Sequence, residues 1–155
     1  MTGKSEIDSQ KKRLDAVFDR ASKSGADPEL LSDLARYLCV LVAGFLEQSI
    51  IEIALQHIRT HAHDSVLRYA EGRLRRFTSA NAQNVIDLLG SFDPDWRLDL
   101  EAYLVDQHKA AVNSVVDLRH TIAHGRFTGV TLARVLSYYN LVKQVVDHCV
   151  NLCIP

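Results

Sequence analysis

The sequence predicts an all-α fold, a bundle of five to seven helices with short connections, and three observations carry that expectation. Glycine and proline are scarce, seven and three in 155 residues, which leaves long stretches without the breakers a many-turned β fold needs. Along those stretches apolar side chains recur at spacings of three and four, the period of a helix with one buried face. Helix-start and helix-stop signals stand between them. With 47% apolar and 24% charged residues the composition is globular, and the chain is long enough to bury a core. Residues 1–155 therefore read as one domain, an amphipathic N-terminal helix within 1–26 and a bundle core over 27–155.

The elements follow in order. From about Glu6 to Ser24, Ile7, Leu14, Val17, Phe18 and Ala21 line one side, with Lys11, Lys12, Arg13, Asp15 and Asp19 between them; Gly25 closes this helix. Asp27-Pro28 starts the next, a capping carboxylate followed by proline at the first helical position. Leu34, Leu38, Leu41, Phe45, Ile50, Ile53, Ala54 and Ile58 then carry one long central helix to about His61. Asp64 to Phe77 is a short, arginine-rich helix, and Thr78-Ser79 is a plausible cap for a further one over Ala80 to Leu89, ended by Gly90. Asp93-Pro94 opens a stretch with no breaker before Gly125, so a helix is expected to continue through Leu98, Tyr103, Val112 and Val116. Gly125 sits where a left-handed C-terminal cap belongs. A turn over Arg126 to Thr131 leads to a last helix marked by Leu132, Val135, Tyr139, Val142, Val146 and Cys149.

Charge and cysteines narrow the function classes. Eighteen Lys and Arg against nineteen Asp and Glu give a net charge of −1. No global positive field holds nucleic acid, so such binding must rest on a local patch. Cys39, Cys149 and Cys153 are odd in number and lie in apolar segments, which reads as reduced core thiols and a cytoplasmic home. The polar start MTGKSEIDSQKKR lacks the apolar stretch of a signal peptide. The longest unbroken apolar run, Leu38 to Leu46, is short of the ~20 residues that span a bilayer, so no membrane association is expected.

The stretch Arg119-His120-Thr121-Ile122-Ala123-His124-Gly125 stands apart, an arginine and two histidines between core-type residues. At about 100° per residue, His120 and His124 share a helix face, while Arg119 and His124 start about 140° and about 7.5 Å apart. Arginine binds phosphate through paired hydrogen bonds and histidine moves protons near neutral pH, so the three suit phosphodiester cleavage. The plainer reading is that they satisfy the last carbonyls of a helix. His120-x-x-x-His124 also has metal-ligand spacing, but a zinc site needs further ligands and only Asp117 is near on the N-terminal side. No metal and no cofactor is expected.

The segment Arg119 to His124 resembles the R-x4-6-H motif of the HEPN superfamily, with a polar residue directly after the arginine. Phe45-Leu46-Glu47-Gln48-Ser49 and the segment from Phe77 to Trp96 are similar to its RiboL-PSP branch, and the likeness covers about residues 30 to 150. The resemblance implies a HEPN-like bundle and a metal-independent endoribonuclease, often a toxin or an effector of antiviral defence. It implies a homodimer in which both chains' motifs form one composite site, an RNA substrate and a possible cognate antitoxin protein. Carried onto this sequence, Arg119 would neutralise the scissile phosphate, His124 would act as general base or acid, and His120 would orient or assist. Cleavage of that kind leaves a 2′,3′-cyclic phosphate. The alternative the resemblance leaves is a catalytically silent dimeric scaffold or a nucleotide-binding or protein-interaction module.

Other features keep two readings each. Arg68, Arg73, Arg75 and Arg76 form either a solvated helical face or a track for the RNA backbone. His57, His61 and His63 form a solvated helix end or a metal site. Trp96 and Tyr103 could stack bases, although Trp96 beside Leu98 and Leu100 reads as core. Glu47 and Glu52 lie on the apolar helix, where a carboxylate is costly unless paired, and Arg119 is a candidate partner.

Overall fold

The computed structural model describes residues 3–155, and among these it has seven helices and no strand. They are α1 (Gly3–Ser22), α2 (Pro28–His61), α3 (Asp64–Leu74), α4 (Ala82–Gly90), α5 (Pro94–Tyr103), α6 (Asp106–Ala123) and α7 (Leu132–Cys153). The opening residues of the predicted 1–26 segment, Met1 and Thr2, lie outside the described residues.

Helix α2 organises the rest. Asp27 caps it, its carboxylate accepting the Leu30 N–H at 2.8 Å, and Pro28 occupies the first turn as predicted. Its 34 residues span about 51 Å, and α1, α6 and α7 pack along it. Leu38, Val42, Leu46, Ile50 and Ile53 are fully buried. The expectation drawn from unbroken apolar runs needs correcting here. By length and composition α2 is apolar enough to cross a membrane, because polar residues interrupt it too rarely to lower its hydropathy. In the fold 72% of its most apolar window is buried under its neighbours. A helix that is apolar nearly all round is what a central position demands.

The long helices are clasped by aromatic side chains. Tyr139 of α7 stacks on Phe18 of α1 at 4.7 Å and meets Phe45 of α2 edge-on at 6.1 Å. Its hydroxyl donates to Asp15 Oδ1 at 2.6 Å, so a fully buried ring keeps a partner for its polar tip. Cys39, Cys149 and Cys153 are buried free thiols, as predicted.

Two predicted elements differ from the structure. The helix expected to start at Ala80 behind Thr78-Ser79 starts at Ala82 behind Asn81, whose side chain accepts the Asn84 N–H at 2.8 Å. Ser79 has φ +60, a left-handed turn, and its carbonyl accepts from Asn81 N–H and from Asn84 Nδ2, both at 2.8 Å. That turn uses up the residues that would have capped an earlier start. The stretch from Pro94 to Gly125 is not one helix but two, parted at Leu104 and Val105, with Asp106 at φ +49. No glycine or proline marks the break. Its cause is packing: Leu104 turns inward and is buried, α5 lies on α4, and α6 lies on α2 and α7. An unbroken helix could not serve both sets of neighbours.

Candidate active site

The stretch Arg119 to Gly125 closes α6. His124 is the capping residue and Gly125 follows at φ +70, the left-handed conformation glycine adopts without strain. The His124 N–H donates to the His120 carbonyl at 3.1 Å, Gly125 N–H to Ile122 at 3.0 Å and Arg126 N–H to Thr121 at 3.1 Å. The last two bonds are the paired closure of a Schellman motif. The carbonyls of His120, Thr121 and Ile122 are thus satisfied by backbone N–H groups and not by histidine side chains.

Both imidazoles are consequently free. His120 and His124 are exposed, and their rings meet edge to face at 4.9 Å. Neither ring has a hydrogen bond or ion pair among the described residues. Arg119 is held differently. Its Nη1 donates to Glu47 Oε2 at 2.8 Å, joining the end of α6 to the middle of α2. The Glu47 side chain is only 11% exposed and that of Arg119 is 38% exposed, so the acid is sunk and the base reaches from it toward solvent. A guanidinium has five N–H donors, and this contact leaves most of them free to bind an anion.

Arg119 and His120 look onto different surfaces. Arg119 edges an apolar groove of about 470 Å³ between α1 and α2, with Leu14, Val17, Leu41, Phe45 and Gln48 in its walls. His120 edges a hollow of about 420 Å³ on the other side of α6, lined also by Ser79, Asn81, Asp117 and Thr121. No hydrogen bond or ion pair joins Arg119 to either histidine among the described residues. The fold pairs the two histidines with each other, and Arg119 with Glu47.

The arginines of α3 are all exposed. Arg73 lies over the Tyr69 ring at 5.5 Å and its Nε donates to the Tyr69 hydroxyl at 3.0 Å. Helix α3 packs on α2, away from α6. Arg75 and Arg76 nevertheless precede Ser79 by only four and three residues. Such a span reaches at most about 14 Å, so their backbones lie near the hollow that holds His120. The sequence did not single out Ser79, Asn81 or Asn113 for this region. The signal was available in α6, where Asn113, Asp117, His120 and His124 repeat on one face.

The histidines at the end of α2 are an aromatic joint. His57 stacks on His61 at 4.2 Å and meets Phe92 and Trp96 edge-on at 5.3 and 4.8 Å. Burial, then the neighbouring His61, holds the His57 imidazole below its ordinary pKa, with Asp93 opposing. Trp96 is partly buried against the core and meets His57 and Phe92, while His61 and His63 stay exposed at the helix end and His61 Nδ1 lies 2.8 Å from the His57 carbonyl. Among the described residues no cluster of three or more His, Cys, Asp or Glu is placed to hold a metal ion.

The RiboL-PSP-HEPN family model matches residues 5–154. The chain belongs to the RiboL-PSP-HEPN family. That match covers all of α2 to α7, α1 but for its first two residues, and the whole stretch from Arg119 to Gly125, and the all-α architecture of a HEPN domain is the one seen here. No curated protein and no solved structure matches the chain significantly.

Proposed function

We propose that this RiboL-PSP-HEPN chain is a metal-independent endoribonuclease that acts as a homodimer, serving as a toxin or phage-defence effector in the cytoplasm under a cognate antitoxin protein. One observation carries the reading. The end of α6 is closed by its own backbone, so His120 and His124 are not needed as caps and stand exposed with free ring nitrogens. Helix capping was the plainer account of these residues, and the side chains do not perform it.

The chemistry assigned to them is transesterification. One imidazole takes the proton of the RNA 2′-hydroxyl, whose oxygen attacks the adjacent phosphorus. The P–O5′ bond breaks, a second imidazole protonates the leaving oxygen, and a 2′,3′-cyclic phosphate remains. His124 has the first claim to base or acid, His120 orients or assists, and the free N–H groups of Arg119 neutralise the phosphate. Arg119 and the histidines face different sides of α6, so a second chain bringing its own motif across the interface supplies what one motif lacks. Arg68, Arg73, Arg75 and Arg76 would hold flanking backbone, Arg75 and Arg76 most directly.

A silent dimeric scaffold is the second reading, and the Glu47 contact favours it, because it cancels part of the Arg119 charge before any phosphate arrives. Purified protein incubated with RNA in EDTA separates the two. The endoribonuclease cuts, and His124→Ala loses about 10²–10⁴-fold in rate. Identical RNA profiles from wild type and His124→Ala would end the enzyme reading. Light scattering tests the dimer, since a strict monomer builds no composite site.

A further inference from the structure

Two hollows run together along one face of α6. The first, about 440 Å³, lies between the start of α4, the α5–α6 joint and α6, and is lined among others by Asn81, Gln83, Glu101, Lys109, Asn113 and Asp117. The second is the hollow of about 420 Å³ that holds His120. Asn81 and Asp117 line both, so the two form one groove that ends on His120. Lys109, Asn113, Asp117, His120 and His124 follow at intervals of four, four, three and four, the repeat of a single helix face.

The fold fixes what this groove offers a ligand. Asn113 Oδ1 accepts the Ala82 N–H at 2.9 Å, and Asn81 Oδ1 accepts the Asn84 N–H at 2.8 Å. A backbone N–H bonds only to the amide oxygen, so each asparagine keeps its NH₂ donors for another partner. Gln83 is the reverse, because its Nε2 donates to Asp87 and its Oε1 stays available. The Asp117 carboxylate and the Lys109 ammonium have no side-chain partner among the described residues. Half-buried Asn81 and Asn113 thus offer donors among exposed acceptors, with two exposed carboxylates, Glu101 and Asp117, that would repel a phosphate. The edge of an unpaired nucleobase carries the matching alternation, and amides and carboxylates are the side chains that read it.

We propose that this groove binds one unpaired RNA base beside the scissile phosphate and sets which base is accepted. The proposal rests on the ribonuclease reading above for its substrate, and on the groove's own hydrogen bonds for its selectivity. Asn113 and Asn81 are the residues that choose: each spends its oxygen on the backbone of α4 and presents its donors to the base.

The test uses substitutions that keep the fold's bonds and reverse the base-facing group. Asn113→Asp retains an oxygen for the Ala82 N–H, and Asn81→Asp retains the cap of α4, since aspartate caps as well as asparagine. The full chain carrying His124→Ala, labelled with ¹⁵N, is titrated with four uridine hexaribonucleotides that have A, C, G or U at one central position. The side-chain NH₂ signals of Asn81 and Asn113 shift. One RNA binds on the order of tenfold tighter than the worst, the discrimination one well-placed base contact gives, and Asn113→Asp removes that preference. Equal binding of all four RNAs overturns the proposal. So does RNA that shifts signals of Arg119 to Gly125 but leaves both asparagine NH₂ groups still, or a preference that survives both aspartate variants. Cleavage by wild type with no asparagine response sinks the groove and spares the ribonuclease. RNA seated in the groove without cleavage by wild type does the opposite, and RNA that moves no signal and is not cleaved by wild type sinks both.

Discussion

Removing either partner of the Arg119–Glu47 pair should have unequal consequences, and the inequality follows from burial. Glu47 is 11% exposed and Arg119 38% exposed. In Arg119→Ala the carboxylate stays sunk in the bundle without the Arg119 hydrogen bond, which costs about 2–3 kcal/mol for a buried group that loses a charged partner. In Glu47→Ala the guanidinium can turn outward into water, so the cost falls to about 1 kcal/mol or less, the range of a screened pair. For a chain of this length each kcal/mol is about 2–4 °C in Tm, so the two variants should differ by several degrees. The double variant Glu47→Leu/Arg119→Leu removes both charges and should recover to within about 1 kcal/mol of wild type, because apolar residues of similar size replace buried pairs at little cost. Urea unfolding of all four proteins, with unchanged slopes, measures this. Equal losses in the two alanine variants, or a double variant that loses the sum of the singles, would refute the reasoning. The cycle also separates architecture from activity: the double variant should be folded and stable, yet unable to cleave RNA.

Gly125→Ala places a side chain at φ +70 where its Cβ meets nothing within 4 Å, so the cost is backbone strain alone, about 1–2 kcal/mol; thermal melting should show a drop of about 2–8 °C, and Gly125→Asn should lose less. His57 is held below its ordinary pKa, so the unfolded chain binds its proton more readily than the folded one. Its contribution to stability is therefore present above the unfolded value near 6.5 and is lost as pH falls through the folded value. His57→Phe keeps the ring packing on Phe92 and Trp96 and should flatten that part of the stability–pH curve measured by urea unfolding between pH 7 and 5. Burial pushes the Cys39 thiol up to about 11 and Cys153 up to about 12, and raises Cys149 as well. Thiol reagents at pH 8 should label none of the three until denaturant is added, as read by mass spectrometry.

The sequence made the long elements legible because their signals are local. Asp27-Pro28 fixed the start of α2, Gly125 the end of α6, and the apolar period of α7 its buried face. It failed where tertiary packing decides. Nothing near Leu104 announces that α5 must lie on α4 while α6 turns to α2 and α7, and the left-handed Ser79 carries no glycine to mark it. The membership in the RiboL-PSP-HEPN family was readable in Arg119 to His124 only together with Phe45 to Ser49 and Phe77 to Trp96, and the partnership of Glu47 with Arg119 followed from the cost of a lone carboxylate on an apolar helix. What could not be read was direction. Helical geometry gives the angle between Arg119 and His120, but only the packing of α1, α2 and α4 around α6 shows that one opens on an apolar groove and the other on a polar one. The Schellman closure was equally out of reach, since a glycine at that place suits several caps.

The most direct measurement uses one RNA, cleaved in EDTA, with its ends identified and a matched substrate that lacks a single 2′-hydroxyl at the mapped cleavage position. The expected result is a 2′,3′-cyclic phosphate on the intact RNA, loss of that one cut in the matched substrate while other cuts persist, and loss of all cutting in His124→Ala. Cutting that continues at the 2′-deoxy position would contradict it, because the attacking oxygen would then not be the one that the Arg119 and His124 chemistry requires.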